Sequence, residues 1–203
     1  MALSKIDIEN MITGEVNVAN GGTGLSSGTS GQFLKFTGST TLASAADNAG
    51  KILQVQSARF TGSNTSVTTD SLSATEVTDQ ITPSATTSTI LVMINLSCAQ
   101  YENSGSGVKY QAAVYRSIGG ASYSKIYAGQ SNSYGGNADS NGGSAERSHS
   151  TPTSLTFVDS PSTTSAVDYK LYIGLNTSSG QGNNVTTGAS DMERAITLLE
   201  IGA

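Results

Sequence analysis

The side chains able to do chemistry are few and scattered. His149 is the only imidazole in 203 residues, and it lies between Ser148 and Ser150, ahead of Asp159. A Ser/His/Asp relay would have to use it, but serine is abundant everywhere in this chain, so that closeness carries little weight. An exposed polar residue is the expectation for His149. Cys98 is the only thiol and sits inside an alternating apolar run. That setting fits a small buried hydrophobe rather than a nucleophile, and one cysteine cannot form an internal disulfide. Asn137, Asp139 and Asn141 alternate like half of a calcium loop, but no glutamate or carboxylate cluster completes it. No Cys/His cluster has zinc spacing. Gly21-Gly22-Thr23-Gly24 lacks the Gly-Lys-Ser/Thr of a phosphate cradle and reads as a tight turn. The expectation is therefore no cofactor, no metal and no enzymatic activity.

Binding is better provided for. The polar run 130–146 and its flank carry Tyr123, Tyr127 and Tyr134 beside Asn132, Asn137, Asp139 and Asn141. Flat apolar rings with a polar tip, next to amides and a carboxylate, suit the faces and hydroxyls of sugars. These seven residues are the candidate receptor-binding set. The competing reading makes Tyr123 and Tyr127 strand residues beside a merely solvated loop.

The elements that must position them are strands. In Ser88 to Tyr101, the side chains of Ile90, Val92, Ile94, Leu96 and Cys98 share one face. Val108, Tyr110, Ala112 and Val114 do the same in the next strand, and Val167, Tyr169, Leu171, Ile173 and Leu175 in a later one. Gly119-Gly120 marks a hairpin turn into Ser122 to Ala128. A first strand covers Ile52 to Ser57, two short ones lie within Ser66 to Thr78, and another spans Leu155 to Asp159. Ile196/Leu198 alternate with Leu199/Ile201 in a last strand, to be buried within a sheet or against a neighbouring subunit. About eight to ten short strands without helical periodicity predict an antiparallel jelly-roll-like β-sandwich over residues 51–203. The stretches 130–146 and 177–193 read as long polar loops.

Residues 1–50 form a different unit. Ile6/Ile8 and Val16/Val18 alternate as short strands do, Met11 and Ile12 add sparse apolar surface, and glycines punctuate the rest. So few large side chains cannot offset the ordering entropy of about fifty residues. The unit is either a loose linker or a segment that wraps around copies of itself, and the alternating runs favour wrapping. Ala43 to Gly50 reads as a short helical turn at the junction.

Composition narrows the partners. Charged residues are 12% of the chain, about half the usual share, and the net charge is −5 with no Lys/Arg cluster. Nucleic-acid binding is not expected without a cationic patch. The longest apolar run, Ile90 to Ile94, is too short to insert in a membrane. The N-terminus lacks the basic region and apolar core of a signal peptide.

Several segments are familiar in order. Val18-Ala19-Asn20-Gly21-Gly22-Thr23-Gly24 and Ser30-Gly31-Gln32-Phe33-Leu34 resemble the N-terminal signature of tailed-bacteriophage fibre and spike proteins. The run from Ile81-Thr82-Pro83-Ser84 to Leu91-Val92, Phe157-Val158-Asp159-Ser160-Pro161, and Ile196-Thr197-Leu198-Leu199-Glu200-Ile201 resemble successive parts of their tip domains. The resemblance implies a homotrimeric virion fibre of short-tail-fibre or head-fibre type, assembled in the host cytoplasm. Residues 1–50 would entwine and attach it to other virion proteins, with Ile6, Ile8, Met11, Ile12, Val16 and Val18 as the anchoring set. Residues 51–203 would present a β-sandwich tip to a host surface glycan or other receptor. The alternatives are a capsid-decorating head fibre that binds little, and a polysaccharide-degrading spike. The coil repeats usual in such enzymes are absent from this sequence.

Overall fold

The computed structural model describes residues 28–39, 41–45, 50–62, 64–102, 108–134, 147–176, 184–188 and 193–203. Two compact units divide the chain, Met1–Asn48 and Ala49–Ala203.

In the first unit the described residues form one antiparallel hairpin, β1 (Phe33–Phe36) with β2 (Leu42–Ala45). Ala43 to Ala45 is therefore extended and not the predicted helical turn. Its backbone pairs Lys35, Leu34 and Phe33 in register, and Ser44 accepts from the Thr29 amide while donating to Gln32. Ladder pairing outweighs the high intrinsic helical propensity of the alanines, since so short a run cannot offset the cost of nucleating a helix. Phe33, Leu34 and Phe36 are 56–67% exposed, so the hairpin buries little apolar surface. An isolated two-stranded hairpin of this kind is marginally stable in water. The predicted anchoring residues Ile6, Ile8, Met11, Ile12, Val16 and Val18, with Gly21 to Gly24, lie outside the described residues.

Among the described residues the second unit is an antiparallel sandwich of ten strands: β3 (Ile52–Phe60), β4 (Ser66–Val67), β5 (Ser73–Ile81), β6 (Thr89–Glu102), β7 (Val108–Ile118), β8 (Ser124–Tyr134), β9 (Arg147–Asp159), β10 (Val167–Leu175), β11 (Asn184–Thr187) and β12 (Arg194–Ile201). One sheet has the order β5-β10-β7-β8. In the other, β9 follows one edge of β6 throughout. The opposite edge of β6 is shared end to end by β12, along Thr89 to Asn95, and β11, along Cys98 to Tyr101. Next to these lie β3 and β4 respectively. With β3/β4 and β11/β12 each counted as one interrupted strand, the strand order is that of a jelly roll.

Period-two patterning accounts for the core. Ile90, Val92, Ile94 and Cys98 from β6 meet Tyr110, Ala112 and Val114 from β7 and Val167, Tyr169, Leu171 and Ile173 from β10. Ile196 and Leu198 are fully buried, so the last strand is an interior element. Gly119 and Gly120 both have positive φ, 59° and 79°, and the Ala121 amide closes the turn on the Ile118 carbonyl. That geometry is the one a tight hairpin turn needs and glycine best tolerates. Gly50 and Gly202 bond to each other, so the entry and exit of this unit lie side by side.

Two expectations about loops change. Gln130 to Tyr134 continues β8, paired with Val108 to Gln111, rather than opening a loop. Asn184–Thr187 is a strand between β6 and β4. Both stretches are polar because they lie where the apolar pattern is short, yet their backbones still find ladder partners.

Candidate functional site

The outer face of the β5-β10-β7-β8 sheet carries an aromatic cluster. Tyr115 on β7 and Tyr172 on β10 stack with centroids 4.0 Å apart. Tyr123, just ahead of β8, tilts against Tyr172 at 6.4 Å, and Lys170 Nζ lies 5.3 Å from the Tyr123 ring. The register sets Lys125, Tyr115, Lys170 and Thr78 in one row across the four strands. The next position on β10, Asp168, accepts from Gln80 Nε2. Burial raises the Tyr123 phenol above its usual pKa, and the Asp168 charge adds to this, against a Thr78 hydrogen bond. Its hydroxyl therefore stays protonated and able to donate at neutral pH. Rings, ammonium groups and short polar side chains converge on one half-buried surface, a combination suited to stacking and hydrogen bonding with a sugar.

The predicted set is dispersed relative to this cluster. Tyr123 belongs to it. Tyr127 does not: its ring stacks on Phe157 at 4.4 Å and 3°, between the edge strands β8 and β9 of the two sheets. Val114, its ladder partner, is a core residue, so Tyr127 points inward by alternation. Asn132 and Tyr134 lie in the distal half of β8, opposite Tyr110 and Val108, where only the backbone is described. Asn137, Asp139 and Asn141 lie outside the described residues. Tyr115, Tyr172 and Lys170 were missed because they occupy outward positions on strands recognised by their inward apolar faces. The available signal was two tyrosines at non-core positions of otherwise clean alternations.

The candidate catalytic groups are separated by the fold. His149 pairs with Gln100 and Asp159 with Ile90, on the same extended strand β9. Ten strand residues at roughly 3.3 Å each place them about 33 Å apart, too far for a relay. Asp159 has another role. Arg116 Nη1 donates to both of its oxygens at 2.8 Å, and the buried Tyr169 hydroxyl donates to one at 2.7 Å. Burial, then this hydrogen bond and the Asp159 charge, pushes the Tyr169 phenol far up. Cys98 is fully buried, and burial lifts its thiol to about 11, against hydrogen bonds with Thr153 and Tyr110. It is protonated at neutral pH and inaccessible, the opposite of what a thiolate nucleophile requires. Among the described residues no three His, Cys, Asp or Glu side chains group to hold a metal ion.

Two further polar knots tie the sheets together. Glu200, facing inward from β12, accepts from the Ser84 amide at 2.7 Å, the Ser84 hydroxyl at 2.6 Å and Gln54 Nε2 at 2.6 Å. Burial opposes its ionisation, but these donors prevail and hold the carboxyl at about 2. Glu76 on β5 pairs with the buried Arg194 Nε of β12 at 3.0 Å and accepts from Thr65 and Thr187. Arg194 also donates to Asn64 and to the Thr187 carbonyl. Gly188 has φ 80°, and an added Cβ there would strike Arg194.

No protein-family model and no curated protein sequence matches the chain. Among solved structures it overlaps VP2 of an infectious bursal disease virus subviral particle, at 11% identity over 82% of this chain and 45% of that one, with a TM-score of 0.34. The protein of T=1 particles derived from infectious bursal virus overlaps at 15% identity over 83% and 40%, with a TM-score of 0.35. The T13 particle of the same virus gives 12%, 83% and 40%, and 0.33. This chain thus spans less than half the length of each protein, and superposition at this level does not establish a common fold.

Proposed function

We propose that the chain is a virion structural protein, a subunit of a homotrimeric bacteriophage fibre or spike that attaches the particle to the host surface. Residues 1–50 join it to other virion proteins, and the jelly roll over residues 51–203 is its exposed head. One observation carries this reading. The segments that resemble fibre tips, far apart in sequence, hold the head together: Ser84 binds Glu200, and Asp159 closes on Arg116 and Tyr169. Residues that carry a resemblance and also clamp the fold support a shared architecture rather than a chance match of common amino acids. The exposed apolar side chains of strand β1, Phe33, Leu34 and Phe36, further support a first unit that draws its apolar cover from other chains.

The mechanism is multivalent attachment. Each head offers the Tyr115/Tyr123/Tyr172 surface, and Asn132, Tyr134, Asn137, Asp139 and Asn141 stand as further receptor contacts. Several weak sites on one particle raise avidity without any strong single contact. Antibody labelling of whole particles tests the assignment: label on tail or capsid appendages is expected, and label absent from particles overturns it. Label confined to the capsid, with no glycan bound on an array, selects the head-fibre form. Deleting residues 1–50 should abolish incorporation into particles, and incorporation that survives the deletion removes the anchoring role.

A further inference from the structure

The two outer faces of the sandwich differ in chemistry. On the β5-β10-β7-β8 sheet, the central row reads Lys125, Tyr115, Lys170, Thr78. On the other sheet, the row across β3, β12, β6 and β9 reads Val55, Leu199, Leu91, Val158. Leu53, Ile52 and Ile201 extend it. Ile52 and Val158 are each 59% exposed, Val55 54% and Leu53 37%. A solitary antiparallel sheet keeps its solvent face polar. Polarity returns only further along these strands, in the row Ser57, Thr197, Met93, Thr156 and then Arg59, Ala195, Asn95, Ser154.

We infer that this apolar face is the surface by which copies of the head pack on one another. The inference rests on the homotrimeric reading above and specifies where the subunits meet. The occupant is a second copy for three reasons. The exposed apolar side chains amount to roughly 400 Å², within the range of about 300–600 Å² for a monomer's largest patch, which is often functional. With the apolar share usual at an interface, about 57%, that corresponds to about 700 Å², close to the ~800 Å² per partner of a standard stable contact. The face also asks for no opposite charge, because Arg59 and Glu193, at its far end, already pair with each other. Its two margins are alike as well, an exposed valine on edge strand β3 and another on edge strand β9. Three such faces turned toward a common axis bring Val158 of one copy against Val55 of the next, which closes a ring without leaving a free face.

Crosslinking of the full-length chain tests this. Val55 and Val158 lie three strand spacings apart in one sheet, about 14 Å, beyond the reach of an internal disulfide. The native Cys98 is buried. The double variant Val55→Cys/Val158→Cys should therefore oxidise to covalent species of two and three chains. The control Thr78→Cys/Lys125→Cys, on the opposite face, should remain single chains. Val158→Lys, at an outward position that tolerates charge in a separated head, should leave the strand circular-dichroism signal intact and shift the chain toward monomer in light scattering. An oligomer that neither crosslinks through the valine pair nor responds to Val158→Lys overturns the face but leaves the homotrimer standing. A wild-type chain that is monomeric overturns both.

Discussion

Ser84 places its amide and its hydroxyl on one oxygen of Glu200, a residue 116 positions further along the chain. The contact joins the β5–β6 connection to the last strand, and Gln54 adds a donor from the first strand of the sandwich. Three distant parts of the head are thereby fixed by one carboxylate.

That carboxylate should dominate acid stability. Its folded-state pKa of about 2 is below the ordinary 4.5, so the bonds stabilise fully above about pH 4.5 and are lost as pH falls toward 2. The difference is worth about 3 kcal/mol. Glu200→Gln should lower stability at pH 7 by about 1–3 kcal/mol and flatten the decline between pH 4.5 and 2. Urea unfolding of both proteins across that range checks this, and an unchanged slope would count against it.

Glu76 and Arg194 make a second test. Arg194 is 1% exposed, so removing Glu76 strands a charge in the core. Glu76→Ala should cost about 3–5 kcal/mol. The double variant Glu76→Met/Arg194→Met should recover most of that loss, since a buried pair exchanged for apolar side chains often leaves stability unchanged. Thermal unfolding of the three proteins distinguishes a desolvated charge from simple loss of packing.

Attachment should depend on the tyrosine cluster. Tyr172→Ala removes the partner of both Tyr115 and Tyr123 and should weaken binding of particles to host cells at least about tenfold, with a stability loss near 1 kcal/mol beyond burial. Tyr127→Ala should do the reverse, costing about 3 kcal/mol through its lost packing on Phe157 while leaving binding per folded molecule unchanged. Cell-binding assays normalised to folded protein read the difference.

His149→Ala should change neither stability, within about 0.5 kcal/mol, nor attachment. Its distance from Asp159 along β9 leaves it no relay to complete. Loss of attachment with an intact fold would reopen a role for it.

Much of the architecture was legible in the linear chain. Ile90 to Cys98 and Val167 to Leu175 alternate so cleanly that only a strand buried on one face fits, and Gly119-Gly120 marks the β7–β8 turn directly. The two-unit division follows from how little apolar surface the first fifty residues carry. Ala43 to Ala45 misled because alanine is the strongest local helix former, while the hairpin partner Phe33–Lys35 enters only as a ladder. Asn184–Thr187 was hidden for a like reason: a four-residue strand has too short a period to stand out.

The site was less legible, because alternation states which residues face in but not which outward residues on different strands become neighbours. By itself the sequence determined the long core strands, which of their residues face inward and the absence of sustained helical periodicity, since these follow from side-chain period along one segment. Only tertiary structure decided that Tyr115, Tyr123 and Tyr172 share a surface, that Tyr127 turns inward, and that Val55, Leu199, Leu91 and Val158 align. Those relations depend on register between strands far apart in the chain: the hydrophobic pattern of one strand fixes which face each residue takes, but which residue of a distant strand lies opposite is settled only when both apolar faces pack into one core.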